Sequence, residues 1–210
     1  MTRTLVIATN NHGKLREFRQ LLDGCGFELV TPRDLGVNFD PEETGATFAE
    51  NATLKAVEAA RACGLPALAD DSGLEVDHLG GRPGIFSARY AGGDRLDPNI
   101  PEARQLELLL EEMRGVPDEQ RTARFRCVIA IAQPGSDDVQ LVDGVFDGRI
   151  AHEPRGDNGF GYDPIFVVPE RGVTSAELAP DEKNRISHRG AAAAKAMVLL
   201  RKMSDDEAAG

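Results

Sequence analysis

Cysteine is scarce in this chain. Cys25, Cys63 and Cys127 are the only three, and no two of them form a CxxC pair. An odd, scattered set supports neither a disulfide framework nor a zinc knuckle, and a reducing, cytoplasmic setting is expected. Long apolar runs are missing too. The opening segment, Met1 to Thr9, is too short in apolar length for a signal peptide or a membrane span, so no membrane partner is expected. There is no internal repeat. Basic charge is in deficit: 24 Lys and Arg stand against 35 Asp and Glu, a formal net charge of −11. That deficit excludes a nucleic-acid polymer as partner, because such binding is driven by Lys and Arg releasing counterions. A single small anion is not excluded, since it needs only a local pocket of donors.

What is present is enough for one substantial domain: 210 residues, 41% of them hydrophobic. Leu5-Val6-Ile7-Ala8 reads as a strand buried on both faces. After the polar break Asn10-Asn11-His12-Gly13, Leu15, Phe18, Leu21 and Leu22 fall at helical spacing, with Gly24 and Gly26 as stops. Glu28-Leu29-Val30 reads as a second strand. Thr47-Phe48-Ala49-Glu50 has the capping-box form and opens an Ala-rich helix to about Cys63. Ala67-Leu68-Ala69 is expected as a short buried strand, interrupted by Asp70-Asp71-Ser72-Gly73 and resumed at Leu74-Glu75-Val76. A helix follows Pro101 from Glu102 to Arg114. Long strands are expected over 122–133 and 139–151, and a short one over 165–168. The last helix is expected from Ser187 or His188 to about Met203. The polar tail 204–210 is expected to be disordered, leaving a single domain over 1–203. Strands and helices mix without strict alternation, which points to an α/β fold with a mixed sheet and flanking helices.

Five segments have the composition of a site. Thr9-Asn10-Asn11-His12-Gly13-Lys14 links a buried strand to a helix, where free amides and the helix dipole suit phosphate and Lys14 adds a charge. It lacks the P-loop spacing, and an ordinary capped loop has the same residues. Asp70-Asp71-Ser72-Gly73 puts two carboxylates side by side, at a cost unless a cation or water shares them. If strand geometry persists there, the two point to opposite faces. Magnesium takes a few carboxylates plus water and phosphate oxygens, but Asp, Ser and Gly also make solvated turns. Glu42 and Glu43, ahead of the capped helix, are each a candidate second metal ligand or simply favourable charge at a helix approach. In Asn158-Gly159-Phe160-Gly161-Tyr162-Asp163 the glycines leave a ring face of Phe160 open for stacking on a base, and Asp163 can accept from a base N–H; a tight turn with Phe160 in the core is the alternative. Lys183-Asn184-Arg185-Ile186-Ser187-His188-Arg189-Gly190 crowds donors at the start of the last helix, the end where cations are disfavoured, so an anionic or carbonyl-bearing ligand is expected.

Taken together, in order and spacing, these segments resemble the dITP/ITP/XTP pyrophosphatase family, which acts on noncanonical purine nucleoside triphosphates. The resemblance covers nearly the whole chain. It also runs through Phe48-x-Glu50-Asn51-Ala52, Lys55-Ala56, Gly80-Gly81-x-Pro83-Gly84-Ile85-x-Ser87-Ala88-Arg89-Tyr90, and Gly159-Phe160-Gly161-Tyr162-Asp163-Pro164-Ile165-Phe166. One departure is Asn10, where bacterial relatives often have Gly; its contribution is expected to be mainly backbone. The resemblance implies an elongated, two-lobed inosine triphosphate pyrophosphatase-like fold with a long central mixed sheet, an interlobe active-site cleft, and a homodimeric state. It implies Mg²⁺-dependent hydrolysis of ITP, dITP and XTP to the monophosphate and pyrophosphate, which keeps deaminated purines out of DNA and RNA.

By position, the resemblance makes Asp71 the proton acceptor and a metal ligand, with Glu42 as the second metal carboxylate. Thr9, Asn10, Asn11, His12, Gly13, Lys14, Ser72, Phe160, Gly161, Tyr162, Asp163 and Lys183 then line the nucleotide site, and His188 and Arg189 approach the base. Lys14, Lys183 and Lys55 are expected to stabilise charge on the leaving pyrophosphate. Arg189 is expected to donate to the purine O6 and Asp163 to accept from N1–H. Adenine reverses both, leaving polar groups mispaired. Two other readings are a nucleotide sensor without turnover, disfavoured by Asp71 and Glu42, and a pyrophosphatase of modified pyrimidines, disfavoured by Phe160, Asp163 and Arg189.

Overall fold

The computed structural model describes residues 3–136 and 138–208. Seven strands, β1 (Arg3–Ile7), β2 (Phe27–Val30), β3 (Ala67–Val76), β4 (Thr122–Ala132), β5 (Val139–Ile150), β6 (Phe166–Val168) and β7 (Val173–Thr174), form one sheet in the order β2-β1-β3-β4-β5-β6-β7. β1 runs parallel to β2 and β3, while β6 runs antiparallel to β5 and β7, so the sheet is mixed, as expected. The helices are α1 (His12–Leu21), α2 (Phe48–Cys63), α3 (Glu102–Glu112), α4 (Pro180–Ile186) and α5 (His188–Ala208). The chain divides into two compact units. One takes the described residues of Met1–Asp71, Cys127–Gly144 and Arg189–Gly210; the other takes Ser72–Arg126 and Val145–His188.

In the first unit, the alternation of β1 assigns its two faces. Leu5 and Ile7 pack with Phe18 and Leu22 of the α1 region and with Ala192, Ala193, Ala196 and Leu200 of α5. Val6 and Ala8 pack with Ala52, Ala56, Ala59 and Ala60 of α2 and with Ala67, Ala69, Ala130 and Ala132. A strand covered on both sides reads as a continuous apolar run. The facing alanines let α2 lie on the sheet without large side chains between them. Thr47 caps α2, its hydroxyl accepting from the Glu50 amide at 3.1 Å, and Glu50 in turn accepts from the Ala46 amide at 2.6 Å. The expected capping box is therefore present with its return bond displaced one residue upstream.

The core of the second unit joins Leu74 and Val76 of β3 to Leu109 and Met113 of the α3 region and to an aromatic group. Phe166 meets Phe125 at 4.5 Å and Phe146 at 5.2 Å between ring centroids.

Three expectations are corrected. β3 runs unbroken from Ala67 to Val76, through the Asp-Asp-Ser-Gly segment that reads as a turn. Its carboxylates are held by buried cations, so the strand does not have to release them to water. Lys183, Asn184 and Arg185 lie in the separate helix α4, which ends where Ser187 turns extended (ψ 161°), and α5 starts afresh at His188. Finally, α5 continues through Ser204–Ala208, where a disordered tail is expected. That stretch holds no Gly or Pro, and Arg3 donates to the Ser204 carbonyl. Ala209 and Gly210 lie outside the described residues.

Candidate active site

In the first unit, two adjacent carboxylates face opposite sides of β3. Asp70 follows the parity of Leu68 and turns toward α1 and α5; Asp71 follows Ala69 and turns toward α2. Asp70 is only 2% exposed. Its Oδ2 lies 3.0 Å from Lys14 Nζ and 3.6 Å from Arg189 Nη2, and the buried Cys127 thiol is 4.0 Å away. Burial alone would push the Asp70 carboxyl up, but Lys14, Arg189 and Lys55 outweigh it and hold the group well below the usual carboxylate range. Arg189 also donates to Glu17 Oε2 at 2.5 Å. This buried guanidinium thus lies against two carboxylates, Glu17 and Asp70.

On the other face, Lys55 Nζ donates to Asp71 Oδ1 at 3.0 Å and to Glu43 Oε1 at 2.8 Å. Asn51, one turn earlier on α2, donates to Asp71 Oδ2 at 3.3 Å and accepts from the Gly45 amide at 2.8 Å. Burial raises the Asp71 carboxyl, and Glu43 adds to the effect; Lys55 and Lys14 oppose it without cancelling it. Burial likewise works against the Lys55 ammonium, but Asp71, Asp70 and Glu43 prevail and raise it. Of the two candidate glutamates, Glu43 joins this cluster, whereas Glu42 is exposed.

The loop before α1 closes on itself. Thr9 Oγ1 accepts from the Asn11 amide at 3.1 Å, and Asn11 Oδ1 accepts from the Lys14 amide at 3.0 Å. The Asn10 side chain does more than its backbone, donating to the Phe39 carbonyl at 2.8 Å. His12 is exposed and Gly13 half-buried at the first turn of α1, the end of the helix where backbone amides lack intrahelical partners.

In the second unit, the Phe160–Asp163 turn forms a separate cluster. Asp163 Oδ2 accepts from the Phe160 amide at 2.9 Å and from Lys183 Nζ at 2.5 Å. Lys183 Nζ also lies 5.0 Å from the centre of the half-buried Phe160 ring. Gly159 is required here: it has φ +79°, and a Cβ would stand 2.1 Å from Asp163 Oδ2. Glu102, at the start of α3, accepts from the Gly161 amide at 2.9 Å, and the buried Tyr162 hydroxyl donates to the Ser87 carbonyl at 2.9 Å. His188 is buried and stacks on Phe125 at 4.8 Å. Ser72 is half-buried on β3 beside Asp71.

Sequence reasoning missed Glu17, Asn51 and Glu102 as members of these clusters. Asn51 carried a signal: it precedes Lys55 by four residues on the alanine-bearing face of α2, a buried polar pair on an apolar stripe. Glu17, three residues after Lys14, looks like any solvated helix charge until α5 is placed.

Among the described residues, no three His, Cys, Asp or Glu side chains converge on a preformed metal centre. The Asp71–Glu43 pair does suit magnesium chemically. Two carboxylates already share one cation there, and magnesium takes a few carboxylates and completes its shell with water and phosphate oxygens.

The Ham1 family model matches residues 5–199. The chain is 55% identical to a dITP/XTP pyrophosphatase of Geobacillus kaustophilus over 193 residues, 92% of each chain. It is 53% identical to a dITP/XTP pyrophosphatase of Escherichia coli K12 over 189 residues, 90% of this chain and 93% of that one. A solved HAM1 protein from Coxiella burnetii superposes with a TM-score of 0.85 at 44% identity, covering 96% of this chain and all of the other. With a family model spanning almost its full length and relatives matched over at least nine-tenths of both chains, the chain belongs to the Ham1 family.

Proposed function

We propose that the protein hydrolyses deaminated purine nucleoside triphosphates (ITP, dITP and XTP) at the α–β anhydride. The products are the monophosphate and pyrophosphate, and the reaction clears these nucleotides from the pool used for DNA and RNA. The observation that carries this reading is the Asp71 cluster: a buried carboxylate with a raised pKa, held between an ammonium and a side-chain amide. A general base works best when its pKa is drawn toward the operating pH. Asp71 takes the proton of the attacking water. Lys14 and Lys55 stabilise charge on the departing pyrophosphate, and the open amides at the start of α1 bind phosphate oxygens. Asp71 and a glutamate of the Glu42–Glu43 pair would hold magnesium, which would supply neutralisation of phosphate charge and orientation of water.

The second cluster supplies base recognition. Phe160 offers a stacking face, Asp163 accepts from the N1–H of a 6-oxo purine, and Lys183 donates to O6. Its place beside Asp163 and the Phe160 ring suits it to that donor role better than Arg189. Two features of the wider reading also belong to the proposal, a homodimeric state and a cytoplasmic location. Among the described residues no helix is long and apolar enough to cross a membrane. Light scattering that returns a monomer mass removes the dimer.

The decisive experiment is incubation with ITP, XTP, GTP and ATP in the presence of Mg²⁺, with identification of the products. ITP and XTP are expected to yield pyrophosphate, and ATP to be a poor substrate. Release of orthophosphate overturns the α–β assignment, and equal rates on ATP and ITP overturn the base reading.

A further inference from the structure

The Lys55 ammonium stands between Glu43 and Asp71, 2.8 Å from one carboxylate and 3.0 Å from the other. Only about a tenth of its side chain is exposed, and its stem rises from the alanine face of α2. One ammonium therefore bridges two carboxylates. A divalent cation that ligates the pair through Asp71 Oδ1 and Glu43 Oε1 would use the oxygens that Lys55 holds. Two cations packed around the same oxygens repel strongly in a partly buried site, so the ammonium and the metal exclude each other.

We infer that Lys55 is an exchangeable stand-in for the divalent cation. It holds Glu43 and Asp71 in the ligating arrangement in the metal-free protein and is displaced when the metal binds. The inference rests on the magnesium reading above. It has a consequence for the order of binding. A displaced, nearly buried ammonium needs another anion. Asp70 acts on it only across the strand, because it lies on the opposite face of β3 and pairs with Lys14 and Arg189. The triphosphate is the anion that arrives with the metal. Metal binding is therefore weak without nucleotide and strengthens with it, and by linkage the nucleotide gains the same factor from the metal.

Two measurements test this on the full chain. The first is Mn²⁺ binding to nucleotide-free protein, read from the electron paramagnetic resonance of free Mn²⁺. Lys55→Met is expected to bind Mn²⁺ about tenfold or more tighter than wild type, because no ammonium has to be displaced. Equal or weaker binding, or no binding by either form, overturns the exchange. The second uses wild type and does not depend on the variant folding. The side-chain ammonium resonance of Lys55 is followed by nitrogen-edited NMR during titration with Mg²⁺. It is expected to shift progressively until the metal site saturates, and a resonance unmoved at saturation overturns the proposal. The failure of ITP hydrolysis would remove the substrate reading. Hydrolysis of ITP by wild type, together with no gain in Mn²⁺ binding by Lys55→Met, would remove only the exchange.

Discussion

Asp70 faces Lys14, Arg189 and Cys127, whereas Asp71, the next residue on β3, faces Lys55 and Asn51. Both carboxylates are buried, yet their protonation is driven in opposite directions. Lys14 and Arg189 on its own face, with Lys55 across the strand, outweigh desolvation and keep Asp70 charged. On the other face the nearest ammonium, Lys55, is shared with Glu43; desolvation prevails over it and Lys14, and Asp71 is raised. The difference separates structure from chemistry. A carboxylate whose charge is fully compensated is a strut between helices, while one that is under-compensated is available to take a proton. The alternation of a single strand produces both roles from two consecutive residues.

The largest expected effect comes from abolishing the under-compensated member. Asp71→Asn keeps the shape and the Asn51 and Lys55 neighbours but cannot accept a proton. It is expected to lower kcat on ITP by about 10²–10⁴-fold, the usual worth of a positioned general base, while nucleotide still binds. Undiminished turnover removes Asp71 from that role. The matched change on the other face should act on stability. Asp70→Asn leaves Lys14 and Arg189 without their shared buried anion, and breaking a buried pair in this way costs about 3–5 kcal/mol. Urea denaturation measures it; a loss near zero would mean that Asp70 is not the strut.

The pH dependence of these two variants sharpens the contrast, because the signs differ. The folded-state pKa of Asp70 lies below its unfolded value, so its contribution is present above the unfolded pKa near 3.8 and is lost as pH falls through the folded value. The deficit of Asp70→Asn against wild type should therefore be full at neutral pH and shrink in acid. Asp71 is raised, so its contribution is present below the unfolded pKa and lost as pH rises through the folded one. Against wild type, Asp71→Asn should gain stability as pH rises toward neutral and lose that gain in acid. Melting temperatures across pH, taken with a chelator present, give both curves. Curves of the same sign would contradict the assignment of opposite roles.

Much of this architecture is legible in the chain itself. The run Leu5-Val6-Ile7-Ala8, the Thr47–Glu50 box and the alanines of α2 encode local geometry, and each element lies where its residues imply. What escapes is whatever depends on partners distant in sequence. Asp70-Asp71-Ser72-Gly73 has the composition of a turn, and only Lys14, Lys55 and Arg189, brought in from α1, α2 and α5, make it a strand. Arg189 reads as a ligand-facing donor because Glu17, its closest partner, is 172 positions away. Glu43 and Glu42 are indistinguishable by composition, and the chain's approach to α2 decides which one meets Lys55. The tight turn beside Asp163 is readable because its cause is local: Gly159 admits no side chain against that carboxylate.

The smallest expected effect extends the comparison to a carboxylate at the surface. Glu102 is exposed and makes one bond to the turn, from the Gly161 amide to Oε2. It has no buried cation to hold and no proton to take, so it should act only by fixing the orientation of that peptide beside Phe160. A single hydrogen bond of this kind contributes about 1 kcal/mol. Glu102→Ala is accordingly expected to raise KM for ITP severalfold with kcat little changed, and Glu102→Gln, which keeps an acceptor, to restore it. Hydrogen exchange at the Gly161 amide should quicken in the alanine variant and recover in the glutamine one, whatever the substrate proves to be. If Glu102→Ala instead lowered kcat as far as Asp71→Asn does, a carboxylate's role would no longer follow from its burial and partners, and the contrast between Asp70 and Asp71 would need another cause.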